Sequence, residues 1–115
     1  MTGKELAQLH GTTIAMIRYY ARIGLIPPAE ARNGKPRQYT AQECDTVELI
    51  ETLSATGLSR DETIHYIAQR EKGATTAQNR MTVLRERRAR LMDKADRLNR
   101  MVDRMDSEIQ MCKEE

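Results

Sequence analysis

Apolar residues recur along this chain at helical spacing, and the runs are separated by glycine and proline. Thr2-Gly3-Lys4-Glu5 has the form of a capping box, a hydroxyl residue followed three places on by Glu. It predicts a helix through about His10, broken at Gly11. Thr12 or Thr13 can cap a second helix that runs to about Ile23, where Gly24 suits a C-terminal cap and Pro27-Pro28 forbids continuation. In that pair Ile14, Ile17 and the ring of Tyr20 are expected to face Leu6, Leu9 and Ile23. Asn33-Gly34 is a two-residue hairpin signal inside a polar stretch, which predicts a short exposed ribbon. Thr40-Ala41-Gln42-Glu43 opens a helix over about 41–55, with Val47, Leu49, Ile50 and Leu53 on one face and Gly57 beyond its end. Ser59-Arg60-Asp61-Glu62 opens another over about 60–72, with Ile64 and Ile67 inward and Gly73 closing it.

Residues 74–115 contain neither glycine nor proline and read as one long helix. Met81, Arg88, Ala95, Val102 and Ile109 are seven apart. So are Leu84, Leu91, Leu98, Met105 and Cys112, and the two series alternate by three and four. This is a heptad seam interrupted only by Arg88. No other segment is long enough to cover it, so a second copy of the chain is the expected cover. The interface then comprises Met81, Leu84, Leu91 and Ala95 with Leu98, Val102, Met105 and Ile109. Arg88 can pair across that interface, with Asp93 or Asp96 of the second copy as partners, or its stem can turn outward.

Composition sharpens this picture. The chain has 115 residues, four tyrosines, no phenylalanine and no tryptophan, which limits the core one copy can build. The net charge of +2 is unevenly spread. Residues 1–40 carry six basic and two acidic side chains, residues 41–73 three and seven, and residues 74–115 ten and eight. A basic N-terminal lobe suggests a polyanionic partner. Cys44 and Cys112 form no pairing motif, and no signal peptide or membrane-length apolar run is visible. A reducing cytoplasmic setting, with no membrane partner, is expected.

The chemistry concentrates at residues 10–28. Ala7, Gly11 and Ile17 occupy the small-contact, turn and buried-aliphatic places of a helix-turn-helix. Two ordinary packed helices would show the same triple, and the second helix decides between these readings. It turns Thr13, Met16, Arg18, Tyr19 and Arg22 outward. Arginine gives charge-assisted hydrogen bonds to phosphate, tyrosine a hydroxyl on a rigid arm, and a helix start free backbone amides. The ribbon adds Arg32, Lys35, Arg37 and Tyr39. Two basic, tyrosine-bearing elements in adjacent segments point to the backbone of double-stranded DNA.

These residues resemble a known family. "ELAQLHGTTIAMIRYYARIGLI", "NGKPRQYT" and "GLSRDETIHYI" are similar to the MerR family of bacterial transcriptional regulators. The resemblance implies a mainly α chain. Residues 1–73 would form a winged helix-turn-helix DNA-binding domain with its wing at about 27–39, and residues 74–115 the helix of an antiparallel coiled-coil dimer. It implies that Arg18, Tyr19, Arg37 and Tyr39 hold DNA backbone, and that Thr13 supplies the hydroxyl at the start of the recognition helix. It implies an operator inside a promoter spacer, bent and untwisted by the dimer, with RNA polymerase as a further partner. Three departures stand out. Gly3-Lys4 replaces the family's usual Ile-Gly, Ala15 stands where many relatives are basic, and no separate ligand-binding domain is expected. With Met16, Ala15 makes the exposed helix start apolar, which favours thymine-methyl contact and shape readout over bidentate hydrogen bonds.

No cysteine lies in 74–81, His10 and His65 have no ligand spacing, and no metal or other cofactor is expected. Cys112 is either a seam filler or a thiol near the partner's DNA-binding lobe. An enzyme is not expected, because no nucleophile–base set, phosphate loop or paired-carboxylate pocket can be assembled. The remaining alternatives are an architectural, excisionase-like DNA bender and a coiled-coil adaptor, and the adaptor leaves the basic lobe unexplained.

Overall fold

The computed structural model describes residues 1–27 and 38–115. Most of the expected wing, including Arg32, Lys35 and Arg37, therefore lies outside the described residues. The described chain divides into two compact units, Met1–Thr76 and Ala77–Glu115.

The first unit contains α1 (Gly3–Leu9), α2 (Ile14–Arg22), α3 (Ala41–Ala55) and α4 (Arg60–Glu71), followed by a 3-10 turn at Gly73–Thr76. Each helix begins where a hydroxyl caps it. Thr2 accepts from the Glu5 amide, Thr13 from Met16, Thr40 from Glu43 and Ser59 from Glu62. Ser59 and Glu62 complete the reciprocal box, the Glu62 carboxylate accepting from the Ser59 amide at 3.2 Å. At the first box the Thr2 hydroxyl donates to the Glu5 carboxylate at 3.1 Å instead. The Thr2 backbone is bridged to Gln38, and the Tyr39 amide donates to the Met1 carbonyl at 2.7 Å, which ties the chain start to the segment entering α3.

The turn between α1 and α2 needs Gly11. Its φ of +66° lies in the left-handed region, and the Thr12 amide returns to the Ala7 carbonyl at 2.9 Å. Ala7 is buried at the contact, as a close crossing requires. Leu6, Ile17, Val47, Ile50 and Leu53 are almost fully buried and form the centre of the core.

Two expectations about this core need correction. Ile14 and Leu9 do not face inward: they are 39% and 63% exposed. With α1 of seven residues and α2 of nine, only the middle of each stripe meets its neighbour. The core instead gains Leu25 and Ile26, which lie beyond the end of α2 and are buried. The chain reaches them through a reversal in which the Leu25 amide donates to the Tyr20 carbonyl at 2.9 Å. On α4, Tyr66 and Thr63 join Ile67 inside, while Ile64 is half-buried.

The second unit is α5 (Ala77–Glu114), 38 residues with no buried side chain. At about 1.5 Å rise per residue it is a rod about 57 Å long. The 3-10 turn delays its start to Ala77, three residues beyond the expected 74.

Candidate nucleic-acid interface

The exposed face of α2 carries the groups the sequence assigned to it. Thr13, Met16, Arg18 and Arg22 are exposed, and Tyr19 is half-buried. Ile17 and Tyr20 anchor the opposite face. The Thr13 side chain accepts from the Met16 amide at 3.1 Å, and its hydroxyl keeps a proton that it can donate to an outside acceptor. The first-turn amides after it lack intrahelical acceptors, which suits an anion.

Three cationic or phenolic groups gather next to it. The Arg22 guanidinium lies 5.5 Å from the centre of the Tyr19 ring, a cation–π distance. The Arg60 guanidinium donates to the Tyr19 hydroxyl oxygen at 2.7 Å. That bond raises the pKa of Arg60 further, so the group stays charged at any physiological pH. With its oxygen accepting from Arg60, the Tyr19 phenol still has its own proton to donate. Arg60, at the start of α4, is a site residue that sequence reasoning missed. It is 41 residues from Tyr19, and nothing local marks it except its own charge.

Behind this face the recognition helix is held by Tyr20. Its hydroxyl donates to the Glu51 carboxylate on α3, and its ring tilts against Tyr19 at 6.3 Å. Burial first, then the hydrogen bond and charge of Glu51, pushes the Tyr20 pKa well above the ordinary phenol value. Tyr20 is thus neutral and acts as a strut. A second strut joins α3 to α4, where Arg70 meets Asp45 at 2.5 Å.

Tyr39 lies elsewhere. It is 8% exposed, with its ring against Gly3, where a Cβ would come 3.4 Å from Cε2. The absence of a side chain at residue 3 leaves room for this ring. Lys35 and Arg37 fall outside the described residues. Cys44 is half-buried and, with Leu9, His10 and Asp45, lines an open groove of about 460 Å³. Cys112 is exposed on α5. Among the described residues no three His, Cys, Asp or Glu side chains are grouped to hold a metal ion. None of the described helices is long and apolar enough to cross a membrane.

A helix-turn-helix whose second helix presents this face, followed by a single long helix, is the architecture of a known class of bacterial regulator. The model for the MerR HTH family regulatory protein matches residues 1–70, and the chain belongs to that family. It is 33% identical to the transcriptional regulator AdhR of Bacillus subtilis over 89 residues, which cover 77% of this chain and 64% of AdhR. The chain therefore spans somewhat less than two thirds of that relative's length. YfmP, a second B. subtilis regulator, is 28% identical over 108 residues, covering 91% of this chain and 77% of YfmP. Among solved structures, a MerR family regulator from Listeria monocytogenes shares 30% identity at a TM-score of 0.68, covering 95% of this chain and 83% of that one. HiNmlR, described as a MerR family regulator lacking the sensor domain and solved on promoter DNA, superposes with a TM-score of 0.77. It covers 90% of this chain and 78% of its own, and at 20% identity it supports the fold alone.

Proposed function

We propose that the chain acts as a homodimer that binds an inverted-repeat operator within a promoter and distorts the DNA to control transcription. The observation that carries this reading is the outward cluster of Arg18, Tyr19, Arg22 and Arg60 around the start and flank of α2. In that reading Arg18, Arg22 and Arg60 neutralise phosphates. Tyr19 donates its hydroxyl to a phosphate oxygen, with Arg60 fixing its orientation. Thr13 and Met16 sit over the base edges. Met16 and Ala15 present only apolar atoms, so recognition there rests on thymine methyls and DNA shape. Lys35 and Arg37 of the wing add phosphate contacts, and the hydroxyl of Tyr39 serves as a further donor.

Two recognition helices on a two-fold axis read two half-sites of mirrored sequence, and α5 sets their separation. Smooth bending of a short site costs on the order of 1–6 kcal/mol, which a change in dimer geometry can supply. RNA polymerase is the partner that reads the result, and the setting is cytoplasmic.

Selection of bound duplexes from a random pool tests the reading. An inverted repeat with a fixed centre is expected from the unaltered chain, with about tenfold weaker binding for Arg18→Ala. Tyr39→Phe keeps the ring against Gly3 and removes only the hydroxyl, so a loss of affinity without a loss of Tm assigns that group to DNA. A promoter fusion then separates regulation from simple bending: unchanged transcription on a bound site would leave an architectural protein.

A further inference from the structure

The surface of α5 holds more than an apolar stripe. Met81, Leu84, Leu98, Val102, Met105 and Ile109 are each between 38% and 57% exposed on a helix with no buried residue. The positions flanking this seam carry charges in a definite order. On one flank, at seven-residue steps, stand Arg80, Arg87, Lys94, Met101, Glu108 and Glu115. On the other stand Arg85, Met92, Asn99, Asp106 and Lys113. The first flank is basic at its N-terminal end and acidic at its C-terminal end, and the second runs from Arg85 to Asp106 in the same order before ending on Lys113.

From this order we infer a single register for the pairing of α5 with a second copy of itself, an inference that rests on the homodimer reading above. The two helices run antiparallel, with Met81 opposite Cys112, Leu84 opposite Ile109, Arg88 opposite Met105, Leu91 opposite Val102 and Ala95 opposite Leu98. In antiparallel coiled coils each flank meets its own counterpart, so this core alignment decides every flanking pair. Arg80 then faces Glu115 of the second copy, Arg87 faces Glu108, and Arg85 faces Asp106. Two-fold symmetry repeats each pair. Lys94 lays its aliphatic stem along Met101, Met92 meets Asn99, and Lys113 meets the uncharged Gln78. Every charged flanking pair is attractive. Arg88 has Asp106 and Glu108 of the second copy on either side of Met105, whereas Asp96 and Asp93 lie about 2.5 and 3.3 helical turns away. Glu108 already holds Arg104 of its own helix at 2.6 Å, and the two oxygens of its carboxylate can also receive Arg87 of the second copy, which leaves Asp106 as the nearer partner for Arg88.

The competing arrangements are penalised by the same residues. A parallel pair in register sets Arg88 against Arg88 in the core and Arg80 against Arg85 on both flanks. Slipping the antiparallel pair by one heptad loses two core layers. It also brings Lys94 against Lys94 in one direction, or Arg85 against Lys113 in the other. The charge order therefore selects one register for a second copy of this chain.

Cys112 makes the register directly testable. In full-length chain carrying Cys44→Ser, Met81→Cys is expected to give a covalent dimer on mild thiol oxidation with diamide. Adding Cys112→Ser should abolish it, and the background chain with Cys112 alone should give none. A covalent dimer that survives Cys112→Ser, or one formed through Cys112 alone, would reveal a parallel pair and overturn the inference. A dimer by light scattering that lacks the Met81–Cys112 cross-link overturns the register while keeping the homodimer. A monomer at micromolar concentration removes both. Independently, Glu108→Arg should weaken dimerisation at least tenfold, and Arg87→Glu in the same chain should restore it. Absence of rescue contradicts the proposed pairing.

Discussion

Tyr20 shows how one side chain links the candidate interface to the core. Its ring is buried and its hydroxyl is bound to Glu51, so the neutral phenol is favoured in the folded state. Because the folded pKa lies above the unfolded value of 10.0, the stabilisation is complete below that pH and is lost as pH rises past it. Alkaline unfolding of the unaltered chain should therefore show an extra loss of Tm above pH 10.0 that Tyr20→Phe does not show. At neutral pH the same variant should lose about 1 kcal/mol, because the half-buried Glu51 carboxylate loses a donor. Arg60 offers a different test. Arg60→Ala removes a charge and releases the Tyr19 hydroxyl, yet the residue is exposed. Duplex affinity should fall about tenfold while Tm changes little, measured by fluorescence anisotropy and thermal melting. An equal loss for unrelated DNA sequences would mark the contact as one to backbone.

Each helix depends on a few local contacts and one buried anchor. Ser59 both caps α4 and completes its reciprocal box, and α4 carries Arg60 in its first position. Ser59→Ala should cost about 1 kcal/mol of stability, and by loosening the helix start it should also weaken DNA binding. Ser59→Asp keeps an acceptor and should preserve both. Ile17 is the fully buried plug of the helix-turn-helix. Ile17→Ala should cost about 2–5 kcal/mol in chemical denaturation, enough to unfold a small lobe. Ile14→Ala, on the exposed end of the same stripe, should cost far less. The periodicity of α2 places both isoleucines on one face, and only the extent of the neighbouring surface separates them.

The chain joins a lobe whose basic excess lies in residues 1–40 to a long self-complementary helix, and this combination governs its response to salt. Binding of duplex DNA should weaken linearly on a log–log plot against salt, with a slope of about 0.9 per phosphate neutralised. Arg18→Ala, which removes one contact from each protomer, should reduce that slope by about two. High salt also screens the flanking pairs of α5, though its apolar seam persists. Dimer mass should therefore outlast DNA binding as salt is raised, which light scattering and anisotropy on the same samples can follow.

Much of this architecture was legible in residue order, because it depends on contacts three or four residues apart. The caps at Thr2, Thr13, Thr40 and Ser59 stand where the helices begin, and Gly11 turns the chain where its backbone demands it. The charge order along α5 is equally a property of the linear string. The resemblance to MerR regulators likewise rests on short contiguous motifs. Other features arise between elements far apart along the chain. The burial of Leu25 and Ile26 past a helix end has no period to announce it, and the exposure of Leu9 and Ile14 depends on how far a neighbour reaches. The bonds from Tyr19 to Arg60 and from Tyr20 to Glu51 cross 41 and 31 positions. Local spacing decides which face of a helix is apolar. Which part of that face is covered, and which distant charge meets a given phenol, follows from the packing of complete elements against one another.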